Sequence, residues 1–244
     1  MEHPSATGPA AAPAAAPAAG PSGGPPAEGP APAVALVFGA TGTAGSAVVA
    51  RCLADERIGE VRAVTRRPLG LSHPRLVEVQ CADFGDLTPI RAALSGVSGC
   101  FFCLGASSAR VRDADAYREI TLGYAVAAAE ALAAASPEHT FHFLSARGAD
   151  PRSRLRWARV KAEAETRLAG INPRRLLVYR PAYIHPAPDR RPGMAARATA
   201  AVLRPFPGAL IRAEDLALAM VNLQFDTDHP PVLDNREIRR HAEP

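Results

Sequence analysis

The feature that most constrains this chain is a glycine-rich turn between an apolar run and a helical segment. Residues 39–45 have the sequence Gly-Ala-Thr-Gly-Thr-Ala-Gly, after an apolar run at 34–38 and before another at 47–50. This order predicts a buried strand, a tight turn and the start of a helix. Glycines let the backbone approach a phosphate, and the amides and dipole of a helix N-terminus favour negative charge there. A plain strand-to-helix turn in an alanine-rich protein is the alternative. The candidate residues for holding a pyrophosphate are Gly39, Thr41, Gly42, Thr43 and Gly45.

Composition separates a tail from a folded region. Of the 244 residues, 48% are hydrophobic and 21% are charged, which suits one domain with a sizeable core. Ala, Pro and Gly fill 25 of the first 32 positions, nine of them with proline and without helical or strand periodicity. We therefore expect residues 1–32 to be a disordered tail and residues 33–244 to be one domain. The tail lacks the basic start and apolar core of a secretory signal, so we expect a cytoplasmic protein.

Charge and cysteine content narrow the expected partners. The net charge is +4, and the basic residues are scattered without interleaved aromatic side chains, so nucleic acid is not an expected partner. No segment is apolar and long enough to suggest a membrane span. Cys100 and Cys103 fall in a predicted strand, where an offset of three puts the thiols on opposite faces. With no second pair or nearby histidine, we expect reduced thiols rather than a metal site.

Apolar runs and helical segments alternate along the rest of the chain. The predicted strands are 34–38, 60–65, 76–80, 100–104, 140–145 and 175–180, and the predicted helices are 87–94 (after an N-cap at Asp86), 115–135 and 153–169. This alternation predicts an α/β fold, a Rossmann-like doubly wound parallel sheet in a single domain. Such sheets bind ligands at the carboxyl ends of their strands. The residues expected at that edge are Gly39, Arg66, Arg67, Asp83, Gly105, Ser145 and Pro181.

The residues after the second strand bear on cofactor choice. NAD-selective folds place an acidic residue about 20 positions past the glycines, on the ribose 2′-hydroxyl. Here the sequence is Thr65-Arg66-Arg67, with two guanidinium groups and no carboxylate. A bidentate arginine suits a 2′-phosphate, so the sequence favours NADPH over NADH. Because 27 of the 28 basic residues are arginine, a chance arginine pair is the alternative.

Several short motifs then follow in a fixed order. They are the loop 39–45, Thr65-Arg-Arg67, Asp83-Phe84, Cys103-Leu-Gly105, the segment 144–150, Val160-Lys161 and Arg180-Pro181. In this order the chain resembles the atypical short-chain dehydrogenase/reductases, and among them the Tat-interacting-protein-like oxidoreductases, over about residues 34–238. The resemblance implies an NADPH-binding Rossmann domain with a small variable substrate region at 182–212. It also implies that Asp83 lies near the adenine.

The resemblance further implies a set of catalytic residues. In short-chain reductases a serine after the fifth strand hydrogen-bonds the substrate oxygen, a tyrosine transfers a proton, and a lysine four residues later binds the nicotinamide ribose and lowers the tyrosine pKa. Ser145 matches the serine, and Lys161, the only lysine of the chain, matches the lysine. Trp157 stands where the tyrosine is expected, either at the site or as a core anchor of the helix. Indole does not ionise usefully, and loss of general acid–base catalysis costs about 10²–10⁴ in rate.

Two functions are therefore open. One is hydride transfer between NADPH and a small carbonyl, quinone or alkene. Tyr183 and His185, in a predicted loop, are further candidates for the site, His185 as a proton relay, and Arg147 either contacts the substrate or only caps its loop. The other is a non-catalytic NADPH-binding regulator whose segment 186–207 contacts a protein partner. The long helix 115–135 and the helix that carries Lys161 resemble the pairing surface of related dimers, so a homodimer is a further expectation. If the φ of Gly42 is positive, Gly42→Ala should cost about 1–2 kcal/mol.

Overall fold

A central parallel β-sheet forms the core of the fold. The computed structural model describes residues 1, 31–106, 111–172, 175–186, 202 and 207–243. Within that part, seven parallel strands form one sheet in the order β3-β2-β1-β4-β5-β6-β9, and β7 and β8 form a separate parallel pair. The strands are β1 (Ala33–Phe38), β2 (Ile58–Thr65), β3 (Leu76–Gln80), β4 (Gly99–Phe102), β5 (Thr140–Leu144), β6 (Leu176–Arg180), β7 (Tyr183–His185), β8 (Leu210–Arg212) and β9 (Val232–Asp234).

Helices connect the strands. They are α1 (Thr43–Ala54), α2 (Ala114–Arg118), α3 (Tyr124–Ala135), α4 (Arg156–Ile171), α5 (Ala213–Phe225) and α6 (Asn235–Arg240). A π-helical turn, Glu119–Gly123, joins α2 to α3, so the predicted helix 115–135 is one helical path with a wide turn inside it. Short 3₁₀ turns cover Thr88–Leu94 and Pro207–Ala209. None of the helices within these described ranges is long and apolar enough to cross a bilayer.

The sheet separates two apolar layers. Along β1, Leu36 and Phe38 pack on one face with residues of α3 and α4, while Ala35 and Val37 pack on the other with residues of α1 and α5. Because successive side chains of a strand point to opposite faces, a strand covered on both sides is apolar throughout, and this explains the unbroken run at 34–38. The core therefore extends to both faces of the sheet and leaves its carboxyl edge for a ligand.

The predicted fold class is confirmed, with differences at several boundaries. The segment predicted as helix 87–94 is a 3₁₀ turn, and Asp86 accepts the amide of Thr88 at 3.0 Å. α4 begins at Arg156 rather than 153, because the Ser153 hydroxyl accepts the Leu155 amide and holds a turn there. β4 ends at Phe102, two residues earlier than predicted.

The predicted tail and the predicted substrate region lie largely outside the residues that the structure describes. The compact unit begins at Pro32, and residues 2–30 of the predicted tail lie outside the described residues. Most of the variable substrate region 182–212 also lies outside them; its described ends contain β7 and β8. Tyr183 and His185 are thus in a short strand, not in the predicted loop.

Candidate functional site

The strand order reverses between β1 and β4. The chain passes from β1 outward to β2 and β3, and then returns to β4 on the other side of β1. In open α/β sheets such a reversal leaves a crevice at the carboxyl ends of the two strands, where ligands bind. Here the Cys103 amide, just after β4, donates to the carbonyl of Phe38 at the end of β1 at 3.0 Å. The crevice therefore begins at Gly39 on one side and Cys103 on the other.

Close packing explains two of the three predicted glycines. Gly39 has a φ of +78°, and a Cβ on it would lie 2.7 Å from the Leu104 amide nitrogen. A Cβ on Gly45 would lie 2.1 Å from the carbonyl oxygen of Gly39, so α1 crosses directly over the turn. Gly42, by contrast, has a φ of −78°. The cost expected for a positive φ therefore does not apply to Gly42, and the left-handed conformation is found at Gly39.

The start of α1 fits a phosphate group. Gly42 is the N-cap and contributes no side-chain hydrogen bond to the first turn, which contains no acidic residue. Thr41 and Gly42 are exposed, and the Gly42 amide donates to the carbonyl of Gly39 at 2.8 Å. A helix N-terminus whose N-cap residue has no side chain, at an exposed turn, presents backbone amides and the positive end of the helix dipole to a ligand. The geometry thus suits a pyrophosphate.

The residues predicted for the adenosine end lie along the same edge. Arg66 and Arg67 are exposed just after β2. The Arg66 guanidinium carbon lies 5.8 Å from the ring centre of Phe84, whose ring packs edge-on against Phe38 at 6.2 Å. Asp83 is exposed beside it, and its carboxylate accepts the Gly85 amide at 2.8 Å. The structure thus places the ends of β1, β2 and β3 side by side.

Lys161 lies at the ends of β4 and β5. Its ammonium donates to the carbonyl of Leu144 at 2.8 Å, and a Cβ on Gly105 would lie 3.9 Å from its Nζ. Only 9% of the residue is exposed. Burial lowers the pKa of Lys161 to about 8, and the nearby Glu165 carboxylate and Cys103 oppose this shift. The ammonium therefore stands beside the crevice, held by a neutral carbonyl.

Ser145 belongs to a buried network that the sequence analysis missed. Its hydroxyl donates to Glu165, and the same carboxylate oxygen accepts Arg180 Nε at 3.0 Å. A second bond joins Arg180 to the other oxygen of Glu165, and this pairing raises the pKa of Arg180. Glu165 follows Lys161 by four residues on α4, so its place on the same helix face was available as a signal. The network fixes the Ser145 side chain relative to α4 and β6.

Trp157 contacts the core. Its partly buried ring packs against the apolar layer that contains Val160, and its outer edge lies 3.4 Å from where a Cβ on Gly148 would be. The ring thus braces the loop after Ser145, which supports the core-anchor alternative. Pro181, buried after β6, accepts the amide of Arg147 through its carbonyl at 2.9 Å and closes that loop from the other side.

The cysteines are free thiols. Cys100 is buried in one apolar layer, and Cys103 packs against the other, as the strand offset predicts. Burial raises the pKa of Cys103 to about 12. Across the described ranges, His, Cys, Asp and Glu form no group of three that could hold a metal ion.

Replacing Glu165 by glutamine tests the network. The variant leaves Arg180 and Ser145 facing an amide, and loss of a partner in a buried ion pair costs up to about 3–5 kcal/mol; because about a third of the Arg180 side chain is exposed, we expect about 2 kcal/mol. Urea unfolding measures the loss. Glu163→Gln is the control, since Glu163 pairs with Arg118 at the surface and should lose less than about 1 kcal/mol. Equal losses in both variants would contradict the assignment.

These features define a dinucleotide-binding α/β protein with its site at the carboxyl edge of a parallel sheet. Residues 39–170 match the family model described as NAD(P)H-binding, and the chain belongs to that family. The match begins at the first glycine of the turn and ends within α4, so it contains the crevice and Lys161.

Solved structures of short-chain dehydrogenases and related enzymes share the fold. A short-chain dehydrogenase from Burkholderia cenocepacia in complex with NADP is 18% identical, with a TM-score of 0.62 over 86% of this chain and 92% of that one. UDP-glucose 4-epimerase from Thermotoga maritima, with UDP-glucose, is 15% identical, with a TM-score of 0.62 over 85% and 80%. A superfamily protein from Agrobacterium tumefaciens with bound NAD is 18% identical, with a TM-score of 0.59 over 81% and 74%. The resemblance to atypical short-chain dehydrogenase/reductases is thus confirmed as an NAD(P)-binding domain with their fold.

Proposed function

We propose that this protein is an NADPH-dependent oxidoreductase that transfers hydride between the nicotinamide and a small carbonyl, quinone or alkene. The observation that carries the proposal is the position of Lys161. The only lysine in an arginine-rich chain is buried beside the crevice, with its ammonium bonded to the Leu144 carbonyl. Burying an ammonium is unfavourable, and a compact point charge does not substitute for a planar guanidinium. The unfavourable burial of the Lys161 ammonium beside the crevice supports a role in binding the nicotinamide ribose.

Other residues at the carboxyl edge of the sheet have the remaining roles in this proposal. When bound, the nicotinamide supplies the hydride. The glycine turn and the first amides of α1 hold the pyrophosphate, with Thr41 and Thr43 as further contacts. Ser145 binds the substrate oxygen: its single hydroxyl hydrogen, which Glu165 accepts in this structure, turns to that oxygen when the substrate is bound. Gly105 after β4 and Pro181 after β6 are further candidate contacts for the cofactor.

A second candidate function is a non-catalytic NADPH-binding regulator. The observation in its favour is Trp157, which packs against the core where a short-chain reductase has its proton donor. In this alternative the cofactor orders the substrate region, which then contacts a protein partner.

Turnover distinguishes the two functions. Purified protein is mixed with NADPH and with a panel of quinones, aldehydes, ketones and activated alkenes, and the absorbance of the reduced nicotinamide is followed. The oxidoreductase is supported if the original protein turns over an acceptor and Ser145→Ala lowers that rate without changing the affinity for NADPH. Tight NADPH binding without turnover on any acceptor supports the regulator.

The preference for NADPH is proposed on the two exposed arginines after β2. A charge-assisted hydrogen bond contributes about 1.5–3 kcal/mol, so replacing Arg66 and Arg67 by alanine, which removes at least one such bond, should weaken NADPH binding about 10-fold or more. NADH, which lacks the 2′-phosphate, should lose less than about threefold, mostly through the general field. Calorimetric titration of both coenzymes measures the change. Arg167→Ala, on the exposed face of α4, is the control. Parallel losses for NADPH and NADH would contradict the proposal.

A further inference from the structure

A second cavity opens at the same edge, away from the glycine turn. It has a volume of about 610 Å³ and lies where β5, β6 and β9 end. Its lining includes Arg147, Arg180, Arg236, Arg239, Asp234 and Asn235. None of the residues predicted to bind the dinucleotide lines it, so the cavity is separate from the crevice between β1 and β4.

The described part of the cavity's lining is basic. Among its described lining residues, four arginines face one aspartate. The carboxylate of Asp234 accepts the backbone amides of Arg236 and Glu237 and so caps α6. Arg180 is paired with Glu165, and Arg239 donates to the carbonyl of Leu210. Arg147 and Arg236 add two further positive charges beside Asp234. Guanidinium groups that share a cavity repel one another, and a bound oxyanion relieves this repulsion.

Backbone groups, which carry no net charge, hold part of the cavity's lining in place. Arg147 donates to the carbonyl of Gly208 at 3.1 Å, a bond that positions the guanidinium without neutralising its charge. Asn235 is buried; its amide donates to the carbonyls of Gly208 and Leu210 at 3.2 and 3.3 Å, and its oxygen accepts the Ala182 amide. These bonds join the segment before β8, the segment before β7 and the start of α6. Arg147 and the backbone around Asn235 are therefore positioned before any ligand arrives.

One carboxylate links this cavity to Ser145. Arg180 forms part of the wall, and the Glu165 oxygen that accepts its Nε also accepts the Ser145 hydroxyl. An anion against Arg180 would therefore lie one residue away from the hydroxyl proposed to bind the substrate oxygen.

We propose that the cavity binds the carboxylate or phosphate group of a small organic anion, and that this anion is the substrate of the proposed oxidoreductase. The second part rests on the proposed function; the first does not. Guanidinium groups bind both kinds of oxyanion through paired N–H donors. The substrate is thus a carbonyl, quinone or alkene with an acidic group held apart from its reactive end.

Oxyanion binding is tested on the full chain with two probes. Inorganic phosphate and succinate are titrated separately by calorimetry, with chloride added to keep the ionic strength constant. The variants are Arg236→Ala, Arg239→Ala and the double variant, and Arg240→Ala on the same helix is the control. We expect each single variant to bind the probes about 10-fold more weakly than the original protein does, and the double variant to bind them more weakly still. The control should bind them as tightly as the original protein.

The outcomes separate the two proposals. Tighter binding of phosphate or of succinate assigns the acidic group, and either result supports the anion site. Equal binding by the original protein and the double variant, or no binding of either probe, overturns it. The NADPH affinity of each variant is measured in parallel and should not change. A protein that binds the probes but neither nicotinamide coenzyme would keep the anion site and overturn the oxidoreductase. If the double variant does not fold, judged by circular dichroism, the single variant Arg236→Ala decides.

Discussion

Replacing Gly45 by alanine is expected to destabilise the protein by about 3 kcal/mol or more and to abolish dinucleotide binding. The added Cβ would lie 2.1 Å from the Gly39 carbonyl oxygen and 2.6 Å from its carbonyl carbon. Both are backbone atoms, and Gly39 is itself packed against Leu104, so neither the helix nor the turn has room to move. In a chain of this size the melting temperature should fall by about 6 °C or more, measured by calorimetry without cofactor.

Gly170→Ala is the matched control for this prediction. Gly170 lies near the end of α4, and a Cβ there would meet no atom within 4 Å. The same substitution should therefore be neutral or stabilise the helix by up to about 1 kcal/mol. If Gly45→Ala melted at the same temperature as Gly170→Ala and bound NADPH normally, the close approach of α1 to the turn would be wrong.

Replacing Lys161 by methionine should weaken NADPH binding about 10-fold or more, because it removes a charge-assisted hydrogen bond. It should also change how stability depends on pH. The pKa of Lys161 is lowered from 10.5 to about 8 in the folded state, so the unfolded chain binds more protons between these two values. The unfolding free energy of the original protein therefore carries a penalty below pH 8 that is relieved as the pH rises toward 10.5.

Between pH 7 and 9.5 this relief amounts to roughly 2 kcal/mol, which the methionine variant lacks. Urea unfolding of both proteins across this range measures the difference, and effects of other groups, such as Cys103, largely cancel in it. Over the same range, NADPH binding by the original protein should weaken as Lys161 loses its proton. Lys161→Arg keeps the charge in a broad planar group, so we expect it not to restore binding. A pH-independent difference between the two proteins would contradict the buried ammonium.

The central sheet could be predicted because its signals are local. The run 34–38 is apolar on both faces, the glycines mark the turn, and each of the next strands is bounded by turn residues. α5 escaped prediction because most of its sides are buried, with residues such as Leu216, Met220 and Leu223 inside, so it lacks an amphipathic stripe. β7, β8 and β9 each have three residues, too few for a period to be visible.

The residues of the site that local sequence marks could be predicted, whereas the contacts between them could not. Lys161 stands out because it is the only lysine of the chain, and Ser145 because it ends a predicted strand. The bond from Ser145 to Glu165 and the pairing of Glu165 with Arg180 depend on how α4 crosses β5 and β6, which is a tertiary fact. Similarly, the sequence marks three glycines but does not say which has the positive φ. The basic cavity needs α6, whose position next to β6 no local pattern indicates.

The parallel pairing of β7 with β8 has an evolutionary consequence. Tyr183 lies opposite Leu210, and His185 opposite Arg212, so the two ends of the segment between these strands are anchored to each other. The entropy of closing such an excursion grows only with the logarithm of its length. Insertions, deletions or wholesale exchange between these two anchors would therefore leave the coenzyme half undisturbed.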